Sequence, residues 1–216
     1  MGLVAALAAS AIVAGSPAAD PPPPQAGRDF SNVHNTQPAW SPDGRRLAVT
    51  RTVTASSPPE VFVMNADRSN PRRVGSGFSP TWSQDGRRLA FVSNGANYSR
   101  YLAVVGADGS GLRRLFRIAG DFFERPSWSP DGQLIAFRSG LDVAVVRPDG
   151  TGLQSAVKRA AEPDWSPDGK RLVFVGLGAD SDHLVVAATD GSGRTRLDLP
   201  VPPSTSSTRT ARSSAG

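Results

Sequence analysis

Short apolar runs recur along the chain, and clusters of turn residues separate each run from the next. In one set, each run begins a few residues after an Asp-Gly turn. These runs lie at 47–49, 89–91, 134–137 and 172–175. Runs of this length that are rich in Leu, Val and Phe and bounded by turn residues predict β-strands rather than helices.

The turn before each run belongs to a motif, Pro-x-Trp-Ser-Pro-Asp-Gly, that occurs four times about 40 residues apart and contains all four tryptophans. Proline presets φ, aspartate bonds to the turn backbone and glycine accepts the left-handed conformation that closes a short hairpin. Gln84 replaces the proline in the second copy. We expect each tryptophan to pack against a neighbouring repeat. The motif residues are Trp40, Asp43, Gly44, Trp82, Asp85, Gly86, Trp128, Asp131, Gly132, Trp165, Asp168 and Gly169.

A second hairpin follows each first one. Its turn contains Asp-Gly at 108–109, 149–150 and 190–191, and Asp67-Arg68 in the first repeat. Four short strands in about 40 residues are typical of the blade of a β-propeller. The sequence therefore predicts an all-β fold, a β-propeller of about four four-stranded blades at 36–75, 78–117, 122–158 and 161–199. It leaves open a closed ring, an open arc or a half-ring.

The four Trp-Ser-Pro-Asp-Gly repeats, one with glutamine for proline, resemble the WD40-like propeller repeats of TolB and of the propellers that accompany prolyl oligopeptidases. The resemblance covers about residues 36–199. It implies a β-propeller but no particular function, because propellers host many unrelated activities.

The two ends of the chain differ from the repeats. Residues 1–19 are small and apolar and resemble a secretory signal, although no Lys or Arg precedes Arg28. The alternative is a membrane anchor, but the run is at the short limit for a span. We expect a periplasmic or secreted protein with no stable membrane span after signal removal. Residues 20–35 form a Pro-rich linker, and the composition of 200–216 predicts a disordered tail.

The chain is basic, with 24 Lys and Arg against 19 Asp and Glu and a net charge of +5. Such a balance can indicate nucleic-acid binding. Many of the arginines recur at equivalent repeat positions, as charged residues do on the outer edges of sheets. We therefore favour solvated edges over nucleic-acid binding. The recurring positions include Arg45, Arg46, Arg72, Arg73, Arg87, Arg88, Arg113 and Arg114.

The residues that usually carry catalysis are scarce. The absence of cysteine excludes thiol nucleophiles and thiolate metal sites. The two histidines, His34 and His183, are far apart in the sequence, and no Gly-x-Ser-x-Gly elbow is present. Eight aspartates lie in turns, where each has a local hydrogen-bonding role. We expect no catalytic residue, no metal site and no cofactor.

Positions that vary within a recurring frame are candidates for function. The entry to the first strand of each repeat varies most, and in a propeller these entries share one face beside the central channel. Aromatic and arginine side chains are enriched in binding hot spots. A competing interpretation is that Phe78 and Phe122 pack between blades. The candidate binding residues are His34, Phe78, Phe122, Phe123, Glu124, Arg125 and Glu162.

These observations predict a non-catalytic, protein-binding or scaffolding propeller of the cell envelope. Its partner is a protein of unknown identity, and self-association to complete a ring is a further expectation. One alternative is an accessory propeller of a hydrolase, as in prolyl oligopeptidases, which requires a catalytic domain elsewhere. A propeller lyase would require a histidine-rich channel. A third alternative is a fragment of a longer propeller protein, which an upstream extension with further repeats would support.

Overall fold

The computed structural model describes residues 34–54, 57–120, 125–178 and 183–197. Within these ranges the regular structure is antiparallel β, apart from a single 3-10 turn at Ala96–Tyr98. The strands form four four-stranded blades in chain order, which confirms the predicted all-β propeller architecture. The signal-like segment, most of the linker and the C-terminal tail lie outside the described residues, and so do Phe122, Phe123 and Glu124.

Each blade contains four strands that pair in sequence order. Blade 1 contains β1 His34–Trp40, β2 Arg46–Thr52, β3 Glu60–Asn65 and the first part of β4 Arg72–Trp82. Blade 2 contains the second part of β4, β5 Arg88–Asn94, β6 Arg100–Gly106 and β7 Arg113–Ile118. Blade 3 contains β8 Ser127–Trp128, β9 Ile135–Ser139, β10 Asp142–Val146 and β11 Gln154–Val157. Blade 4 contains β12 Ala160–Trp165, β13 Arg171–Gly176, β14 His183–Ala188 and β15 Thr195–Leu197.

The first turn of each blade is held by a serine hydroxyl. In blade 1, the Ser41 hydroxyl donates to Asp43 Oδ1 at 2.6 Å and accepts the Arg46 N–H at 2.9 Å. Gly44 has a φ of +68°, in the left-handed region that favours glycine. The hydroxyl and a backbone N–H stabilise the carboxylate, so the pKa of Asp43 lies below its usual value. The same arrangement recurs at Asp85, Asp131 and Asp168.

The second turn of each blade also contains a left-handed residue. Glycine fills this position in blades 2, 3 and 4, with φ between +81° and +86°. In blade 1 the residue is Arg68, with a φ of +70°. A side chain in this conformation costs about 1 kcal/mol relative to glycine. At this turn, blade 1 therefore carries backbone strain that the other three blades avoid.

The hydrophobic core consists of three clusters, one between each pair of successive blades. The indole rings of Trp82, Trp128 and Trp165 are at most 8% exposed and pack on the preceding blade. Trp82 Nε1 donates to the Ala39 carbonyl at 3.0 Å. Trp40 departs from the expected packing, because its side chain is 60% exposed. No described blade precedes blade 1, so nothing in the described ranges covers this ring.

Arginines join successive blades. The Arg46 guanidinium lies 4.8 Å from the centroid of the Trp82 ring, and Arg88 lies 5.0 Å from that of Trp128. On the outer strands, Arg72 donates to the Asp108 carbonyl at 2.9 Å. An equivalent bond joins blades 2 and 3. Part of the recurring positive charge therefore stabilises blade packing and is not only a feature of solvated edges.

The described strands of the four blades form no closed sheet. Among the described strands, no hydrogen-bonded pairing links blade 4 to blade 1. The exposed Trp40 agrees with this, because a closed ring of four blades would cover that face of blade 1. Within the described part of the chain, no helix is long and apolar enough to cross a membrane.

Candidate functional site at the channel mouth

The innermost strand of a blade carries a β-bulge three residues before its tryptophan. The strand register shifts at this point in blades 1, 2 and 4. Gln37, Ser79 and Glu162 occupy the bulge with φ of +51°, +57° and +50°. Arg125 takes the equivalent position in blade 3. Because a bulge redirects a side chain, blades 1, 2 and 4 present different residues at one structural position, and Arg125 matches them by its sequence position. We call these four the bulge residues.

Two of the bulge residues fasten blades 1 and 2 together. Gln37 Nε2 donates to the Ser79 hydroxyl at 2.8 Å, and the Ser79 N–H donates to Gln37 Oε1 at 2.9 Å. The Thr50 hydroxyl also donates to Gln37 Oε1, at 2.9 Å. Ser79 is almost fully buried. Gln37 and Ser79 therefore have a structural role, because they join blades 1 and 2.

The other two bulge residues, Arg125 and Glu162, are exposed and line a cavity of about 590 Å³, which we call the channel mouth. Arg125 donates to the Pro38 carbonyl at 3.3 Å, so its side chain reaches from blade 3 to blade 1. The remaining lining residues are Thr81, Pro126, Ser127, Pro163 and Asp164.

A short hydrogen bond organises the wall of this cavity. The Ser127 hydroxyl donates to Asp164 Oδ1 at 2.6 Å, which joins the inner strands of blades 3 and 4. Trp165 Nε1 donates to the Ser127 carbonyl at 3.1 Å, which is a second hydrogen bond between the inner strands of blades 3 and 4. The cavity therefore presents one guanidinium and two carboxylates beside strands that are joined by hydrogen bonds. This arrangement suits a ligand with polar and charged groups of both signs.

The candidate residues from the sequence are distributed unevenly. Arg125 and Glu162 meet at the cavity, whereas His34 is exposed at the start of β1 and is not among the lining residues. Phe78 is 5% exposed in the core between blades 2 and 3, with the Arg100 guanidinium 5.5 Å from its ring centroid. Phe78 therefore takes the packing role and presents no binding surface.

Sequence reasoning missed Thr81, Ser127 and Asp164. Each of the three directly precedes the tryptophan of its blade, and the equivalent residue of blade 1 is Ala39. This position varies inside an otherwise constant Pro-x-Trp frame, so the criterion of variation within a frame would have identified it. Among the described residues, no group of three or more His, Cys, Asp or Glu side chains could hold a metal ion.

Comparison with known proteins identifies relatives of this fold. TolB from Acinetobacter baumannii is similar with a TM-score of 0.63 at 18% identity, over 76% of this chain and 43% of that chain. A puromycin-hydrolyzing peptidase of Mycobacterium tuberculosis has a TM-score of 0.63 at 21% identity, over 79% and 30%. The β-propeller domain of the Trilobed protease from Pyrococcus furiosus, described as having an open velcro topology, has a TM-score of 0.59 at 12% identity, over 81% and 59%.

This chain spans less than two thirds of the length of each of those structures. At these identities the likeness shows the fold alone. No curated protein matches the sequence. The family model for the TolB beta propeller domain matches residues 28–207, which include all four blades. The chain therefore belongs to the TolB beta propeller domain family.

Proposed function

We propose that this chain is a non-catalytic propeller of the cell envelope that binds a partner protein at the channel mouth. One observation carries the proposal. Arg125 and Glu162, each three residues before the tryptophan of its blade, are exposed beside one cavity, whereas Ser79 at the same sequence position is buried and bonded to Gln37 of blade 1. A repeated frame that holds two scaffold residues and two exposed charges is suited to recognition.

The chemistry of the cavity favours a polypeptide segment as its ligand. A volume of about 590 Å³ accommodates a few side chains. The guanidinium of Arg125 suits an acidic side chain or a carbonyl, and the carboxylates of Glu162 and Asp164 suit a basic one. Charged groups at the rim of a site contribute mainly to specificity and association rate. Phe122 and Phe123, just before Arg125 in the sequence, supply the residue types of a hot spot.

The envelope part of the proposal comes from the sequence. The apolar residues 3–19 resemble a secretory signal, and a Pro-rich stretch separates them from the first blade. Fusion of residues 1–35 to a reporter that is active only after export tests this part by itself. Export of the reporter supports the envelope location, and retention inside the cell contradicts it.

A crosslinking pull-down from envelope extract tests the binding site. The baits are the full chain and its Arg125→Gln and Glu162→Gln variants. Arg87→Gln is the matched control, because Arg87 is exposed in the first turn of blade 2 and does not line the cavity. We expect the wild type and the control to recover the same partner, and each cavity variant to bind it roughly tenfold more weakly.

Equal recovery by all four baits would refute the channel mouth as the binding site. The non-catalytic part has a separate readout. If the purified chain cleaved peptides or acidic polysaccharides and Glu162→Gln abolished the cleavage, the protein would be an enzyme. If the recovered partner were a hydrolase whose kcat/KM changed when the chain bound, the accessory role would replace scaffolding.

A further inference from the structure

Each contact between successive blades joins two different faces. We call the side of a blade that packs on the next blade its leading face, and the opposite side its trailing face. The trailing face supplies the tryptophan, and the leading face supplies the carbonyl that accepts its N–H. In two of the three contacts this bond is formed, by Trp82 to Ala39 and by Trp165 to Ser127. In two of the three, an arginine of the leading face stacks on the indole ring.

The trailing face of blade 1 is uncovered among the described residues. Trp40 is 60% exposed, whereas its three counterparts are at most 8% exposed. Three of its apolar neighbours on this face are partly exposed, although Val49 beside them is only 8% exposed, whereas the equivalents of these three in blade 2 are fully buried. The partly exposed residues are Leu47, Phe62 and Met64, and their counterparts are Leu89, Ala103 and Val105.

The leading face of blade 4 is uncovered in the same way. Leu184 is 37% exposed, and the three valines beside it are partly exposed. The equivalent residues of blade 2 are at most 7% exposed. The valines are Val173, Val175 and Val186. The residues of blade 2 at the positions of these valines and of Leu184 are Ala90, Val92, Leu102 and Val104.

The polar features of a blade contact are also present on these two faces. Arg171 follows the first turn of blade 4 at the position of Arg46 and Arg88, and its side chain is exposed. Asp164 precedes the tryptophan of blade 4, so its carbonyl corresponds to the Ala39 carbonyl that accepts the Trp82 N–H. The chain thus carries both halves of one further blade contact, one half at each end.

We propose that these two faces bind each other between two copies of the chain, head to tail. In this arrangement, Trp40 of one copy packs on the valines of blade 4 of the other. Its N–H donates to the Asp164 carbonyl, and Arg171 stacks on its ring. Two copies joined by two such contacts form a ring of eight blades, which is within the range of propellers. A heterologous contact of this kind forms a closed ring when its rotation closes.

The proposed contact continues the contacts already present between successive blades. The same pair of faces meets three times within the chain, so the fourth contact requires no new chemistry. A ring also buries the apolar faces that the described residues leave uncovered at both ends. The contact lies on the outer faces of blades 1 and 4 and does not involve the channel mouth. A result that refutes one proposal therefore leaves the other unaffected.

Sedimentation equilibrium of the full chain tests the ring. We expect twice the chain mass of 22.6 kDa for the wild type. Trp40→Glu removes the trailing half of the contact and Leu184→Glu the leading half, so each variant alone is expected to be a monomer. Leu141→Glu is the control, because Leu141 is 56% exposed in the turn between β9 and β10 and belongs to neither face. The control is expected to remain a dimer.

Mixing the two variants distinguishes a head-to-tail contact from a symmetric one. An equimolar mixture of Trp40→Glu and Leu184→Glu retains one intact contact, because each copy supplies the face that the other lacks. We therefore expect dimers to reappear only in the mixture. Circular dichroism checks that each variant is folded. Arg171→Glu, a change at an exposed side chain, provides a second test of the leading face and is expected to weaken the dimer.

Four results would overturn the proposal. A monomeric wild type would show that the faces stay open or that another segment of the same chain covers them. A dimer that Leu184→Glu leaves intact would indicate a symmetric contact through blade 1. Failure of the mixture to dimerise, with both variants folded, would refute complementarity of the two faces. An assembly larger than a dimer would refute the eight-bladed ring.

Discussion

Trp128 and Trp40 occupy the same position in their repeats, but their indole rings have very different surroundings. Trp128 is 8% exposed between blades 2 and 3, and Trp40 is 60% exposed on the open face of blade 1. Replacing each by alanine therefore compares one side chain in two environments. We expect Trp128→Ala to destabilise the fold severely and Trp40→Ala to have a clearly smaller effect on the isolated chain.

The magnitude follows from the buried area. The difference in exposure is about half of a tryptophan surface, or roughly 125 Å². At about 25 cal/mol per Å² this corresponds to about 3 kcal/mol. The cavity left by Trp128→Ala brings its total cost to about 3–5 kcal/mol. Trp128 Nε1 has no hydrogen-bond partner among the described residues, so the loss comes from packing and from the contact with Arg88. Trp40→Ala should cost about 2 kcal/mol, because only roughly 100 Å² of its surface is buried and alanine keeps part of that burial.

Urea unfolding, followed by circular dichroism, measures both changes. The protein concentration must be low enough for the chain to be monomeric. Association through the face that carries Trp40 would raise the free energy of unfolding and would make the loss in Trp40→Ala larger. Equal losses of unfolding free energy for the two variants would refute this reasoning. A loss below about 2 kcal/mol for Trp128→Ala would also do so, because a buried tryptophan in a packed core cannot be removed at that cost.

Three further predictions concern the backbone and the turns. Gly75→Ala should destabilise by about 1–3 kcal/mol in urea unfolding, because its Cβ would lie 2.6 Å from the buried Phe91 ring; Phe91→Leu in the same chain should recover part of the loss, and no loss would show that the strand can shift. Arg68→Gly should raise the free energy of unfolding by about 0.5 kcal/mol, because glycine adopts the left-handed conformation without strain. Gly109→Ala, at the equivalent position of blade 2, should lower it by about 1 kcal/mol. A loss of stability in Arg68→Gly would show that Arg68 is not strained. Hydroxyl and backbone N–H donors lower the pKa of the eight turn aspartates below the usual 3.8, so their contribution is complete above that pH and is lost as the pH falls through the lower folded values. Unfolding midpoints from pH 6 to pH 2.5 should be flat above about pH 5 and fall below about pH 4, and a midpoint that rose on acidification would refute the sign.

The sequence predicted the blades well because the relevant information is local. Trp-Ser-Pro-Asp-Gly specifies a turn through bonds among residues a few positions apart, such as the Ser41 hydroxyl to Asp43. Repetition of that turn set the number of blades and the order of the strands. The long strand β4, which runs from blade 1 into blade 2, was not predicted, because its continuity depends on the pairing of both halves with different partners.

The candidate site was predicted only in part. Arg125 and Glu162 were selected because they vary within a constant frame, and they do meet at one cavity. Phe78 was selected by the same criterion but lies in the core. Residue type does not distinguish these outcomes, because a phenylalanine beside a channel and one between blades have the same sequence context. Packing decides between them, because Phe78 lies one residue before the bulge and packs between blades 2 and 3.

The sequence by itself determined the fold class, the four blades and the turn chemistry, because each depends on short-range periodicity. Only the tertiary structure decided which of four equivalent bulge residues remain exposed and which arginines stack on a tryptophan of the next blade. It also distinguished Trp40 from its three counterparts. These features depend on which blade lies beside which, and identical motifs acquire different roles according to the presence of a neighbour. That is a property of packing, which a repeated sequence does not encode at any single position.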